Sequence, residues 1–241
     1  MTTETAVDAI ERSLLLDILR GRYASGSRLP TVRELAAAHQ VTPATIQRVV
    51  ARLETRGLVS ARQGSGLVVH DPRTAGDAGL VPHWLAAFRH EPAVAAAILR
   101  DFLELRRVVA ARLLTRHRAE LTAQAAELAR AAAAVGAIAP HDLDAIREAD
   151  LGFAKALVAL TGNIPAATIL NTLGRVLTEL PEVAHAMYAR PKENARAMTD
   201  ALAALAKGGP KLEERLDAIL LAVDDRTVSR FARALTKDLA S

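Results

Sequence analysis

The chain has 241 residues, 51% of them apolar, 24% charged and only 3% aromatic, with a formal net charge of +4 and no cysteine. A composition rich in alanine and poor in aromatics favours helix and disfavours a β-sandwich. Without cysteine there are no disulfides, thiol nucleophiles or cysteine-ligated zinc or iron–sulfur centres.

Charge is uneven along the chain. Residues 1–70 hold nine arginines, no lysine and six acids, whereas residues 71–241 are nearly balanced, with 22 basic and 21 acidic side chains. Between 28 and 66, six arginines face only Glu34 and Glu54. A small basic module ahead of a near-neutral body points to an anionic partner at the N-terminal end. The opening MTTETAVDAIER lacks the apolar stretch of a signal peptide. The longest uncharged run, Ala156 to Gly174, is interrupted at Gly162 to Pro165 and reads as two helices joined by a turn, not a membrane span. A cytoplasmic location without membrane association is expected.

In chain order, Ile10, Leu14, Ile18 and Leu19 recur at helical spacing and predict a helix over roughly 5–22. Thr31 with Glu34 forms a capping-box pattern that opens a short helix to about His39. After a tight connection, Thr42 is a second N-cap, with Pro43 at the first helical position. The helix that follows places Ile46, Val49, Val50 and Leu53 on one face and ends at Gly57. Two strand-like runs, LVSAR and LVVHD, flank QGSG and predict a hairpin.

Helix, short helix, tight turn, helix, hairpin is the order of a winged helix-turn-helix, whose second paired helix enters the DNA major groove. The segments LPTVRELA, VTPATIQRVVARL, RGLV and QGSG, in this order and spacing, resemble the DNA-binding domain of the GntR superfamily of bacterial regulators. The resemblance implies a set of DNA contacts. Arg33, at the start of the second helix, can clamp phosphate or guanine. Thr42 and Thr45 sit where hydroxyls and free N–H groups face the nucleic acid. Gln47 lies one turn in and can read adenine. Gln63 and Gly64 match the wing tip, and Gly64 and Gly66 permit its turn. Arg48, Arg52 and Arg56 stand as either phosphate contacts or a solvated face. Pro43 and Gln47 replace arginines of the FadR-like branch, so that branch's operator is not carried over.

Residues 71–79, DPRTAGDAG, are rich in Pro, Gly and Asp and read as a linker between an N-terminal domain of 1–70 and a second domain of 80–241. The remainder reads as helix: 92–117, 119–136, His141 or Asp142 to Leu160, a helix marked by Ile169 to Leu180, then 181–189, 192–207, 210–223 and 226–239. The expected fold is therefore mainly α, a winged helix-turn-helix followed by an antiparallel helical bundle.

DLGFAKALVALTGNIPAATILNTLG and LRDFLELRRVVAARL resemble the helical effector domain of the FadR-like branch. Most of that branch binds a metal through D-x-x-F-H and two later histidines. Here the motif reads Asp150, Leu151, Gly152, Phe153, Ala154, and the later positions fall near Met198 and Leu220. Asp150 alone is a poor ligand set for zinc. His185 as a substitute reads better as a surface residue. No metal or other cofactor is expected.

The resemblance implies an apolar effector such as a fatty acyl-CoA, with Arg106, Arg107 and Arg112 either neutralising an anionic head or facing water. The expected function is an effector-modulated transcription regulator, a homodimer on a palindromic operator. Alternatives are a regulator of the metal-binding sister branch that responds to a small carboxylate, and a DNA-binding protein with no effector. Enzyme chemistry is not expected. There is no Ser/His/Asp constellation and no phosphate loop, and Glu148 and Asp150 at i, i+2 do not face one another on a helix.

Overall fold

The structure, a computed structural model, describes residues 5–62 and 66–240. It divides into two compact units, residues 1–88 and 89–241.

In the first unit, α1 (Ala6–Leu19) starts at a capping box in which Thr5 Oγ1 accepts from the Asp8 N–H and Asp8 accepts from the Thr5 N–H. Its apolar residues Val7, Ile10, Leu14 and Ile18 are buried at helical spacing. The Thr31–Glu34 capping box opens α2 (Val32–Ala38), and Thr42 with Pro43 opens α3 (Pro43–Thr55). Gln40, at φ 54, takes the left-handed turn between them. Strands β1 (Val59–Arg62) and β2 (Gly66–Val69) pair antiparallel, from Val59 opposite Val69 to Arg62 opposite Gly66. The segment 26–29 lies along the other edge of β2, where Leu29 N–H donates to the Leu67 carbonyl at 2.9 Å. Ile46, Val49 and Leu53 of α3 are fully buried against α1 and the hairpin. Burial of such side chains is worth roughly 1.5–3 kcal/mol each and fixes which face of α3 stays outside.

The boundary differs from the expected one. The compact unit continues past residue 70 through α4 (Pro72–Ala75), a 3-10 turn (Ala78–Leu80) and α5 (Val81–Ala87). Leu80 and Ala87 join the first core, and Arg20 Nε donates to the Ala87 carbonyl at 2.7 Å. Asp71 and Asp77, which read as linker residues, are caps of the two short elements. Gly57, at φ 74, admits the same segment, because a Cβ there would meet the Ala75 carbonyl oxygen at 2.7 Å.

The second unit is all helical: α6 (Pro92–Arg116), α7 (Arg118–Ala123), α8 (Ala125–Ala137), α9 (Leu143–Thr161), α10 (Ile164–Glu179), α11 (Pro181–Tyr188), α12 (Pro191–Lys207) and α13 (Leu212–Ala240). The long helices α6 and α13 run antiparallel, cross-linked by Arg112–Glu213, Arg107–Asp217 and Arg106–Asp224. The expected helix 119–136 is two, broken at Gln124. The expected pair 210–223 and 226–239 is instead one helix of 29 residues. Asp224 interrupts the apolar pattern without ending the helix. It is buried and its carboxylate accepts from Arg106 at 2.6 Å, an ion pair that periodicity does not reveal. Among the described residues no helix is long and apolar enough to cross a membrane.

Candidate nucleic-acid interface and ligand cavity

With its apolar stripe buried, α3 presents Pro43, Ala44, Gln47 and Arg48 to solvent. Thr42 Oγ1 accepts from the Thr45 N–H, and the two hydroxyls lie 3.0 Å apart. Arg33, on α2, is exposed as well. Arg33, Gln47 and Arg48 make no hydrogen bond or ion pair among the described residues, so their polar ends remain available to a partner. Gln63 and Gly64 lie outside the described residues.

Arg52 differs from its neighbour one turn earlier. Its guanidinium donates to Asp8 at 2.7 Å and Glu11 at 2.9 Å, while Arg56 Nε donates to Glu11 at 3.0 Å. Glu11 is buried, so the pairing joins α1 to α3 and supplies the partners that a buried carboxylate requires. The Thr5 hydroxyl first, then Arg52, draw the Asp8 carboxyl down to about 2. Asp8 and Glu11 in turn hold the Arg52 pKa above its ordinary value. Arg52, expected as a DNA contact, is thus exposed but ion-paired to α1.

Two cations outside the expected set stand beside the hairpin. Arg28 bridges to Val68 through its backbone, and Arg62 ends β1. With Ser25, Gly26 and His70 they line a shallow groove with no acidic side chain among the described residues. His70 Nε2 lies 2.9 Å from Ser60 Oγ. Both arginines fall within the basic stretch 28–66, but outside the helix positions on which motif reading concentrates.

The second unit holds a partly open cavity of about 170 Å³, far above the roughly 10–15 Å³ that one water molecule requires. Helices α6, α9, α10, α11, α12 and α13 all contribute, through residues such as Val109, Leu113, Phe153, Leu157, Ile169 and Met198. The four positions that the family resemblance marks for a metal, Asp150, Ala154, Met198 and Leu220, all line this one cavity. Only Asp150 among them is a good ligand, and the described residues hold no cluster of three His, Asp or Glu that fits a metal ion. His185 is exposed, its Nδ1 2.7 Å from the Pro181 carbonyl. Arg106 alone of the three expected arginines lines the cavity; Arg107 is held by Asp217, and Arg112 pairs with Glu213 at the surface.

Asp150 is half-buried and lines the cavity. Its Oδ2 accepts from the Tyr188 hydroxyl at 3.0 Å. Burial pushes the Asp150 carboxyl up to about 6, against the opposing pull of Tyr188 and Arg106. Burial first, then the Asp150 charge, raises the Tyr188 phenol far above its ordinary value, so it stays a donor. A lone tyrosine carries no sequence motif, and packing alone brings Tyr188 to Asp150.

Residues 6–69 match the family model described as bacterial regulatory proteins, gntR family. An uncharacterized HTH-type transcriptional regulator of Mycobacterium tuberculosis, Rv0494, is 32% identical over 155 residues, covering 61% of this chain and 57% of that protein. The HTH-type transcriptional regulator Mce2R of the same species is 29% identical over 106 residues, 44% of this chain and 43% of its own length. The chain therefore spans about half the length of these curated relatives, which are named as regulators and not as enzymes. The solved structure of Lar, described as controlling expression of the Listeria monocytogenes agr system, aligns over 97% of this chain and 99% of its own, with a TM-score of 0.51 at 16% identity. That likeness concerns the fold. The winged helix-turn-helix and the matched segment coincide, so residues 6–69 form a DNA-binding domain of the type described as bacterial regulatory proteins, gntR family.

Proposed function

We propose that the chain is a cytoplasmic transcription regulator of the FadR-like branch, which binds operator DNA as a homodimer and changes its DNA affinity when an apolar organic ligand enters the second unit. The observation that carries the DNA-binding reading is the outer face of α3. Gln47 and Arg48 stand free there, over a helix N-terminus capped by Thr42, while the neighbouring, equally exposed Arg52 is ion-paired to Asp8 and Glu11 of α1. A helix N-terminus with hydroxyls and a free guanidinium suits phosphate positioning, and Gln47 suits base readout. One such helix reads only a few base pairs, so a symmetric pair on an inverted repeat is the economical arrangement. Arg33, Thr42, Thr45, Gln47, Arg48, Gln63 and Gly64 are the assigned contacts.

The cavity supports the effector reading over an effectorless one, and its apolar wall supports an aliphatic ligand over a metal-bound small carboxylate. The test is fluorescence anisotropy of the full chain on the duplex upstream of its own gene, against a scrambled duplex, with and without aliphatic ligands. Preference for the upstream duplex, weakened or strengthened by ligand, supports the reading. Equal affinity for both duplexes contradicts it.

A further inference from the structure

The buried face of α1 carries Val7, Ile10, Leu14, Leu15 and Ile18, and Glu11 sits among them. Each of its carboxylate oxygens takes one guanidinium: Oε2 accepts from Arg52 Nη1 at 2.9 Å, and Oε1 accepts from Arg56 Nε at 3.0 Å. Asp8, three residues earlier on α1, accepts from the same Arg52 Nη1 at 2.7 Å. Two acids and two arginines thus cancel in charge. Arg48, Arg52 and Arg56 follow at every fourth residue, about 6 Å apart along the helix axis. Of this row, Arg48 alone has no acidic partner among the described residues. A buried ion pair adds little net stability over apolar side chains of similar volume. An apolar residue at position 11 would continue the stripe of α1, so stability alone does not account for an acid there.

We propose that Asp8 and Glu11 are specificity residues: they hold Arg52 and Arg56 off the phosphate backbone, so that base contacts from α3 decide where the protein binds. This rests on the reading of α3 as the helix that meets DNA. The Arg52 and Arg56 side chains are 43% and 34% exposed, so their acids, not burial, keep them from a phosphate. Sequence-independent affinity comes from neutralised phosphates, and each guanidinium that meets one adds to it on any duplex. Base contacts alone tell one duplex from another. On its operator, α3 is fixed in register by those contacts and meets only the phosphates which that register brings near. On other duplexes it shifts to meet as many phosphates as it can. Two more free guanidinium groups therefore favour wrong sites over the right one, and the acids of α1 remove that gain.

The experiment is fluorescence anisotropy of the full chain on the duplex upstream of its own gene and on a scrambled duplex, from 50 to 200 mM salt. Wild type is compared with Asp8→Asn plus Glu11→Gln, with Arg52→Ala plus Arg56→Ala, and with all four substitutions together. Removing the acids steepens the slope of log affinity against log salt on the scrambled duplex by about 2, an additional loss of about tenfold across this salt range. The ratio of upstream to scrambled affinity at 50 mM salt falls. With the arginines also removed, slope and ratio return to those of wild type. Asp8→Asn plus Glu11→Leu repeats the release with an apolar side chain on the buried face of α1, so a domain that unfolds with a buried amide does not end the test. An unchanged slope in both acid-free variants overturns the proposal. So does a ratio that stays constant, or a steeper slope that persists without the arginines, which would trace the effect to the field of the acids themselves. A wild type that prefers the upstream duplex while the slopes stay unchanged removes this proposal alone; a wild type with no preference removes the DNA-reading assignment of α3 and the proposal with it.

Discussion

Replacing Asp150 with asparagine isolates the cost of holding a carboxylate inside the second unit. The asparagine keeps an oxygen for the Tyr188 hydroxyl, which donates at 3.0 Å in the wild type, and removes the charge. Burial is the main cause of the rise in the Asp150 pKa from 3.8 to about 6. Between these values the folded wild type binds more protons than the unfolded chain, so its stability falls as pH rises through that window. Below about pH 4 both states are protonated at this site and the penalty vanishes. Above about pH 6 the penalty is complete; at about 1.4 kcal/mol per tenfold change it comes to about 3 kcal/mol. Asp150→Asn is accordingly more stable than wild type by about 2–3 kcal/mol at pH 8, and the gap closes toward pH 4. Urea unfolding of both full chains, followed by far-ultraviolet circular dichroism at several pH values, measures it. A difference that is constant with pH, or that grows as pH falls, would refute the claim that the carboxylate is desolvated.

The remaining predictions concern the first unit. Arg33→Ala, if Arg33 reads a base in bidentate fashion, costs about 1–3 kcal/mol in operator binding and relaxes sequence preference, measured by anisotropy at fixed salt. Arg48→Ala weakens specific and scrambled duplexes alike and reduces the slope of log affinity against log salt by about 1. Arg28→Ala with Arg62→Ala does the same by about 2 if both groove arginines meet phosphate; an unchanged slope excludes them from the interface. Arg52→Ala lowers the unfolding temperature while leaving the salt slope as in wild type, because its guanidinium is engaged by Asp8 and Glu11; loss of a phosphate contact in the slope would contradict this.

Local signals in the sequence carried far in the first unit. Thr31 with Glu34 and Thr42 with Pro43 mark helix starts by hydrogen-bond chemistry that acts over three residues, so they are readable without a structure. Arg48 and Arg52 show where that reach ends. They look alike on the helix, and only the fold brings Asp8 and Glu11, some forty positions away, onto one of them. The same limit explains Asp224, whose polar side chain breaks an apolar pattern but is matched by Arg106 from α6. Residues 71–79 read as a linker for another reason: aspartates that cap short helices, with the Pro and Gly around them, have the composition of a linker. The cavity was half legible. Aligned positions 150, 154, 198 and 220 do meet on one wall, whereas the Tyr188 partner and the unmatched Arg106 Nε depend on packing alone.

The account rests above all on α3 as a reader of DNA in a symmetric pair. Selection of binding sequences from a pool of randomised duplexes by the full chain tests it most directly. The account predicts enrichment of one inverted repeat whose half-sites are spaced for two recognition helices on one face of the duplex, and loss of preference at specific half-site positions with Gln47→Ala. Failure to enrich any sequence, or enrichment of a site without two-fold symmetry, would contradict it.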